Sequence, residues 1–475
     1  MQFIFQFVIL LIEKIFYKGG IMRAILPEKL KNLAKSCPSP LYVVGGSVRD
    51  FLAKLTPTIH DWDICSPMPA EEFSIFAQRE GFIVQAVYKN TGTVKITDGE
   101  IDYEYSCFRS DKYVRGTHVP VEIFFTPDIR LDAKRRDFTA NAIYYDIAKE
   151  EFVDPLLGIP AIQEKRLTTV DHANKVFGED GLRLMRLARQ AAQLGFEPDG
   201  ACLLGATENA SLIQDISPER IYEELITILT ADGKCNVTNA PYHGFQILEK
   251  TGVLAYILPE LTQGKGLAQR ADFHKYDVLE HSLKALYYME KLSANATLRL
   301  AALLHDIAKP ACMLRDGNSH GHPEEGEMMA REILLRLKAP KKTIQRVCTL
   351  VKYHMYDFDC KTGENKLRRF FVSNYEILED LLLIKQADFS ACKDDLSKAP
   401  TREKWEGILQ RMQEEDVPFS LKALAVNGND LLQEGLPAQK LANLLNGLLM
   451  HTAVSPSDNE KERLLRLAHG LNKSL

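Results

Sequence analysis

The residues best suited to chemistry lie near the start of the chain. Gly45-Gly46-Ser47-Val-Arg49-Asp50 ends a β-branched run, and Asp61-Trp62-Asp63 follows after a Pro turn. Glycines between a strand and a helix let backbone N–H groups come close to an anion, and the helix N-terminus adds its dipole. Aspartates at i and i+2 on a strand point the same way. Such a pair suits a Mg²⁺–triphosphate better than a core, so the expected chemistry is phosphoryl or nucleotidyl transfer. Glu104, on the strand 101–107, either adds a third carboxylate or faces solvent.

A second cluster, Asp132-Ala-Lys134-Arg135-Arg136-Asp137-Phe-Thr-Ala-Asn141, sets paired guanidinium groups beside carboxylates. It can neutralise phosphate and grip a ribose, because the planar fork of Arg meets oxygens bidentately. A third, Glu179-Asp180-Gly-Leu-Arg183-Leu-Met-Arg186-Leu-Ala-Arg189, places Asp180 and Arg183 at i, i+3, which predicts one helix face. An acceptor and a donor held together there can mimic the pairing edge of a base.

The positioning elements follow from pattern. Helices are expected at 27–36, 47–54 and 70–80, and strands at 41–44, 59–64, 82–88, 93–97, 101–107 and 121–125, all on one sheet. From 172 onward nearly every apolar pattern is helical. At 475 residues the chain exceeds one core. The expected division is 1–24 extension, 25–160 head, 161–262 neck, 263–400 body and 401–475 tail. The apolar run Phe3–Ile12 is too short to cross a bilayer and reads as an extension without a chemical role. A formal net charge of −5 does not advertise a polyanion partner, so any RNA must meet local basic patches. The nine cysteines form no C-x-x-C pair, which fits free thiols in a reducing cytoplasm.

Taken in order, Gly45-Gly46-x-x-Arg49-Asp50, Asp61-x-Asp63, Arg135-Arg136-Asp137-x-x-x-Asn141, Glu179-Asp180-x-x-Arg183 and Glu219-Arg220-x-x-x-Glu224 resemble the class II tRNA nucleotidyltransferases, the CCA-adding enzymes, and the related bacterial poly(A) polymerases. The resemblance implies an α/β head with a Pol β-like sheet, then all-α neck, body and tail domains. It implies that Asp61 and Asp63 hold two Mg²⁺ ions, with Glu104 as the candidate third acid. Gly45, Gly46, Ser47 and Arg49 would contact the triphosphate of CTP or ATP, and Arg136, Asp137 and Asn141 its sugar and phosphate. Asp180 and Arg183, flanked by Arg186 and Arg189, would read the base, and Glu219, Arg220 and Glu224 would brace that helix. The segment 108–118 corresponds to the family's flexible loop.

Two positions depart from the family pattern. The segment Asp154–Ile162, expected to act as a hinge, lacks a later aspartate, and Gln190 stands where an aromatic packs. The partner implied is the tRNA 3′ end and acceptor stem, with Lys341, Lys342, Lys366, Arg368 and Arg369 as candidate RNA contacts. Neither a membrane nor a protein partner is implied.

The helical half holds a second candidate centre: His281, His305-Asp306, His322, His354 and Asp388. A His-Asp pair ending an apolar helix is costly to bury without a partner, and a metal supplies one. The ordered set resembles the HD-domain phosphohydrolases. That likeness implies a divalent transition metal on His281, His305, Asp306 and Asp388, a second ion on His322 and His354, and Lys309 beside a phosphate. The leading expectation is template-independent CCA addition, with hydrolysis of 3′-phosphates or 2′,3′-cyclic phosphates as a second expected activity. The alternatives are CC-only or A-only addition, poly(A) synthesis, and an HD hydrolase whose head merely binds nucleotide.

Overall fold

The computed structural model describes residues 26–54, 61–269 and 275–473, and the expected N-terminal extension lies outside them. The chain forms two compact units. One runs to Ile216 and includes Lys250–Val253; the other comprises Ser217–Glu249 and Leu254 onward.

The first unit is built on a mixed sheet. In chain order its strands are β1 (Tyr42–Val44), β2 (Asp61–Ser66), β3 (Ile83–Tyr88), β4 (Thr93–Thr97) and β5 (Asp102–Cys107). A separate hairpin, β6 (Arg109–Lys112) and β7 (Glu122–Phe125), comes next, before β8 (Tyr144–Asp146) and β9 (Glu151–Val153). The main sheet runs β3-β4-β5-β2-β1-β8-β9, with β2 and β5 parallel. Two expectations are corrected here. The run 121–125 is a strand but pairs only with β6, away from the main sheet, and the expected flexible loop begins as the β6 strand. The places at the sheet edge go instead to β8 and β9, whose few residues carry no readable alternation.

Helix α1 (Glu28–Ser36) buries Leu30, Leu33 and Ala34. Helix α2 (Gly46–Leu52) leaves β1 through Gly45 at φ +85°, and α3 (Ala70–Arg79) lays Phe73 against Tyr105 with ring centroids 3.6 Å apart. The short α4 (Ile129–Lys134) is capped by Asp128. The segment expected to be a hinge folds as α5 (Gly158–Gln163), whose first N–H groups are capped by Asp154 at 2.8 Å. Then come α6 (Ala173–Glu179) and α7 (Leu182–Leu194), which stops at the left-handed Gly195, and α8 (Gly200–Asn209).

The second unit is helical. The helix Val278–Leu292 packs on Tyr375–Lys393, and His322–Arg336 on Lys341–Tyr353; three further helices fill the tail from Gly428 to Asn472. Among the described residues, no helix is long and apolar enough to cross a membrane.

At Gly158 a Cβ would come within 2.2 Å of the Thr139 carbonyl oxygen. Gly158→Ala is therefore expected to cost about 2 kcal/mol or more in urea unfolding. At Gly200, where nothing lies within 4 Å, the same change is expected to stay within about 0.5 kcal/mol.

Candidate functional site

Alternation on β2 and β5 sorts side chains by face. Trp62, Ile64, Tyr103 and Tyr105 are buried, while Asp63 and Glu104 are exposed. Asp63 is the register partner of Glu104, and Asp61 that of Asp102. Partners in a parallel ladder project to the same face, so Asp63 and Glu104 stand side by side. The side chain of Asp61 lies outside what the structure describes. Lys95, opposite Glu104 on β4, approaches it at 3.6 Å. Both are about half exposed, and such a pair is worth about 0–1 kcal/mol.

The glycine turn meets these acids directly. A Cβ on Gly45 would lie 3.1 Å from Asp63 Oδ2 and 3.9 Å from Arg136 Nη1, so the bare backbone leaves a cradle between a carboxylate and a guanidinium. Gly46 and Ser47 open α2 beside it. Arg136 is held by Asp132 at 3.2 Å and lies over the Tyr144 ring, while Arg135 bonds the other Asp132 oxygen at 2.7 Å. The Tyr144 hydroxyl also donates to Asp132, at 2.7 Å. Burial would raise the Asp132 carboxyl, but the two guanidinium groups outweigh it and hold it well below the usual range.

Behind the cradle lies a closed polar network. Asp137 accepts from Arg186 Nε at 2.8 Å and from Asn141 at 2.8 Å. Asn141 in turn accepts from Arg49 Nη1 at 2.8 Å, and the rest of the Arg49 fork rests on Asp50. Gln190 joins every part. It accepts from Asn141 at 3.0 Å, donates to Asp137 at 3.2 Å and accepts from Arg49 at 3.4 Å. The Gln190 side chain is thus buried among donors and acceptors that its carboxamide meets with both its oxygen and its nitrogen. Spacing offered no signal for it, since its partners come from two distant segments.

The expected base-reading pair is also assembled, with one correction. Asp180 is extended (φ −140°, ψ 107°) in the turn before α7 rather than on the helix, and it accepts from the N–H of Leu182. Its other oxygen lies 3.0 Å from His118 Nδ1, and the Tyr113 ring faces the guanidinium of Arg183 at 5.5 Å. Arg183 bonds the carbonyls of Val176 and Arg135. Arg189 reaches Gln193 at 3.3 Å. Beside this pair opens a cavity of about 420 Å³ lined by Tyr113, Arg115, Glu179 and Asn209 among others. Of the candidate RNA contacts, Lys341, Lys342, Lys366 and Arg369 are exposed. Arg368 is not: it is buried against Glu415 and Glu364, so it is withdrawn from that set. Glu219, Arg220 and Glu224 lie on the helix Pro218–Leu229, in the second unit.

The second centre lies wholly in the helical unit. His281, His305, Asp306, His322 and His354 are buried. Asp306 Oδ2 lies 3.3 Å from His281 Nε2 and 3.1 Å from His305 Nε2; its Oδ1 lies 3.2 Å from His322 and 3.5 Å from His354. Asp388 Oδ1 lies 3.1 Å from His281 Nε2 and 3.5 Å from His305 Nε2.

The Nδ1 atoms of His305, His322 and His354 each sit 2.6–2.7 Å from a backbone carbonyl, which can only accept. The proton assigned from this network is therefore on Nδ1, which turns each Nε2 inward. Two such nitrogens, on His322 and His354, face each other at 3.2 Å. Burial, the larger influence, holds His354 down to about 4. Facing lone pairs beside a buried carboxylate that accepts no hydrogen bond, although the Lys309 ammonium pairs with it at 2.7 Å, call for a cation. The donor set of imidazoles and carboxylates fits one divalent transition metal, with Asp306 able to reach a second. His320, exposed on the preceding loop, takes no part.

Known proteins resemble this chain along most of its length. Residues 41–168 match the poly A polymerase head domain, 195–264 the probable RNA and SrmB-binding site of polymerase A, and 278–388 the HD domain. An A-adding tRNA nucleotidyltransferase from Deinococcus radiodurans is 32% identical over 368 residues, covering 75% of this chain and 77% of the relative. The chain belongs to the tRNA nucleotidyltransferase and poly(A) polymerase family. Its fold is that of the Bacillus stearothermophilus CCA-adding enzyme in complex with CTP, with a TM-score of 0.68, 24% identity, and coverage of 95% of this chain and 99% of the other. The Thermotoga maritima CCA-adding enzyme complexed with tRNA gives a TM-score of 0.62 at 15% identity, covering 94% and 96%. The expected architecture, a mixed-sheet head before an all-helical half with an HD domain, is borne out.

For Asp137, burial pushes the carboxyl up, but Arg186 and the bonds from Asn141 hold it well below the usual carboxylate range. A group depressed on folding stabilises fully above its unfolded value, about pH 4, and loses that contribution as pH falls below it. Asp137→Asn should therefore cost about 1–3 kcal/mol at pH 7. The gap from wild type, read by chemical denaturation, should narrow between pH 5 and 3.

Proposed function

We propose that the chain transfers nucleoside monophosphates from ATP and CTP to the 3′ end of tRNA without a nucleic-acid template, in the cytoplasm. The observation that carries this reading is the β2–β5 register, which sets Asp63 beside Glu104 on an open face next to the Gly45 turn. The cradle and its acids fit Mg²⁺ bound to a triphosphate, with Asp61, Asp63 and Glu104 as the holding residues. When bound, two such ions lower the pKa of the 3′-hydroxyl and neutralise the leaving pyrophosphate. Gly45, Gly46 and Ser47 offer backbone and hydroxyl donors to the triphosphate, and Arg136 offers its guanidinium. Arg49, Asp137, Asn141 and Arg186 keep the wall behind it in place. Asp180 and Arg183 supply an acceptor and donors to the base edge once His118 and Tyr113 yield their places.

The A-adding relative favours a second reading, in which the chain adds only the terminal AMP. At the HD centre the proposed reaction is hydrolysis of RNA 3′-phosphates or 2′,3′-cyclic phosphates. His281, His305, Asp306 and Asp388 would hold one divalent ion and His322 and His354 a second; such an ion, when bound, supplies an activated water.

The deciding experiment uses tRNA transcripts ending at the discriminator base or after CC, with labelled CTP and ATP. CMP incorporation on the first and AMP on the second is the expected outcome. Labelling by ATP alone, on the CC-ended tRNA only, selects the A-adding reading, and no labelling of either removes the proposal. Asp63→Ala is expected to lower transfer at least 10³-fold with an unchanged melting temperature, since the side chain is exposed. Asp306→Ala is expected to strip bound metal, measured by elemental analysis, while leaving transfer intact.

A further inference from the structure

The loop ahead of the helix Val278–Leu292 is bonded to the start of that helix. The Gly264 carbonyl accepts from the N–H of Leu279, the Leu267 carbonyl from Val278, and the Gly266 N–H donates to Asp277 at 2.8 Å. A Cβ on Gly264 would lie 2.9 Å from the Leu279 nitrogen, so the loop lies flat against the helix start.

Anchored this way, Gln269 places its Oε1 2.9 Å from Lys309 Nζ and its Nε2 3.3 Å from the Tyr276 carbonyl. The carboxamide accepts on one side and donates on the other, which leaves one self-consistent orientation. Lys309 is buried and its ammonium is ion-paired with Asp306 Oδ2 at 2.7 Å. An ammonium has three N–H groups. One partner holds the torsion about Cε–Nζ through a single contact; a second narrows that torsion, and with it the direction of the remaining N–H. Among the described residues no third acceptor meets Lys309.

We propose that Gln269 is a positioning residue for phosphate: it locks the Lys309 ammonium so that the remaining N–H meets an oxygen of a phosphate group seated at the HD centre. The proposal rests on the hydrolase reading, and its physical basis is preorganisation, because a donor already aimed need not lose rotational freedom on binding.

The test uses the full chain loaded with Mn²⁺ and inorganic phosphate as the probe, followed by calorimetry, with metal content and melting temperature recorded for each variant. Gln269→Leu, with Gln269→Met as a second variant of similar size, is expected to weaken phosphate binding about 10-fold at unchanged metal stoichiometry. Lys309→Gln is expected to weaken it at least as much. The double variant should be no weaker than Lys309→Gln alone, because Gln269 acts only through that ammonium. Gln269 variants within twofold of wild type, or penalties that multiply in the double variant, overturn the proposal. A wild-type chain that takes up metal but no phosphate also overturns it. A chain that takes up no metal overturns the hydrolase reading and this inference with it, and the metal stoichiometry tells the two failures apart.

Discussion

The head depends on keeping like charges together on one sheet face. Carboxylates side by side repel, by about 1 kcal/mol at 4 Å in water. What holds them is the opposite face of the same strands, where Trp62, Ile64, Tyr103 and Tyr105 are buried. Each such side chain contributes about 1.5–3 kcal/mol on burial, so the ladder that buries them exceeds the repulsion it imposes. A one-residue slip between β2 and β5 would bury the acids and expose the aromatics, which makes the register hard to lose. The acids are thus held ready for a cation by apolar burial on the other side of the sheet.

The wall behind the cradle solves a different problem. Arg49, Asp137, Asn141 and Gln190 bring charges and amides into the interior, where an unmatched polar group is costly, and the partly exposed Arg186 reaches in to them. Each acceptor of Asp137 and Asn141 has a donor, so the network acts as one unit. Such networks rigidify only when complete. In this one, α2, the Asp137–Asn141 segment and α7 are tied together, and that fixes the glycine turn relative to the guanidinium of Arg136.

The helical unit uses the inverse arrangement. There, buried imidazoles are oriented by backbone carbonyls so that their Nε2 atoms converge on two carboxylates. Helix ends do the aiming: His305 and His354 each terminate a helix, and His322 begins one. The result is a centre of acceptors with few donors, of which Lys309 is the exception.

Much of this was legible before any coordinates. The period-2 alternation of β2, β4 and β5, the glycine turn, the co-ordered acidic and arginine motifs and the His-Asp set are local patterns, and local sterics and burial decide them. Tertiary structure alone decided the rest. Gln190 finds its partners through contacts with Arg49, Asp137 and Asn141, far apart in sequence. His118 rests on Asp180 only because the loop folds back, and Arg368 is removed from the surface by Glu415. β8 and β9 are too short to announce themselves and owe their place to pairing with β1. Spacing determines which way a residue faces on its own element, but what it faces depends on chain segments that spacing does not encode.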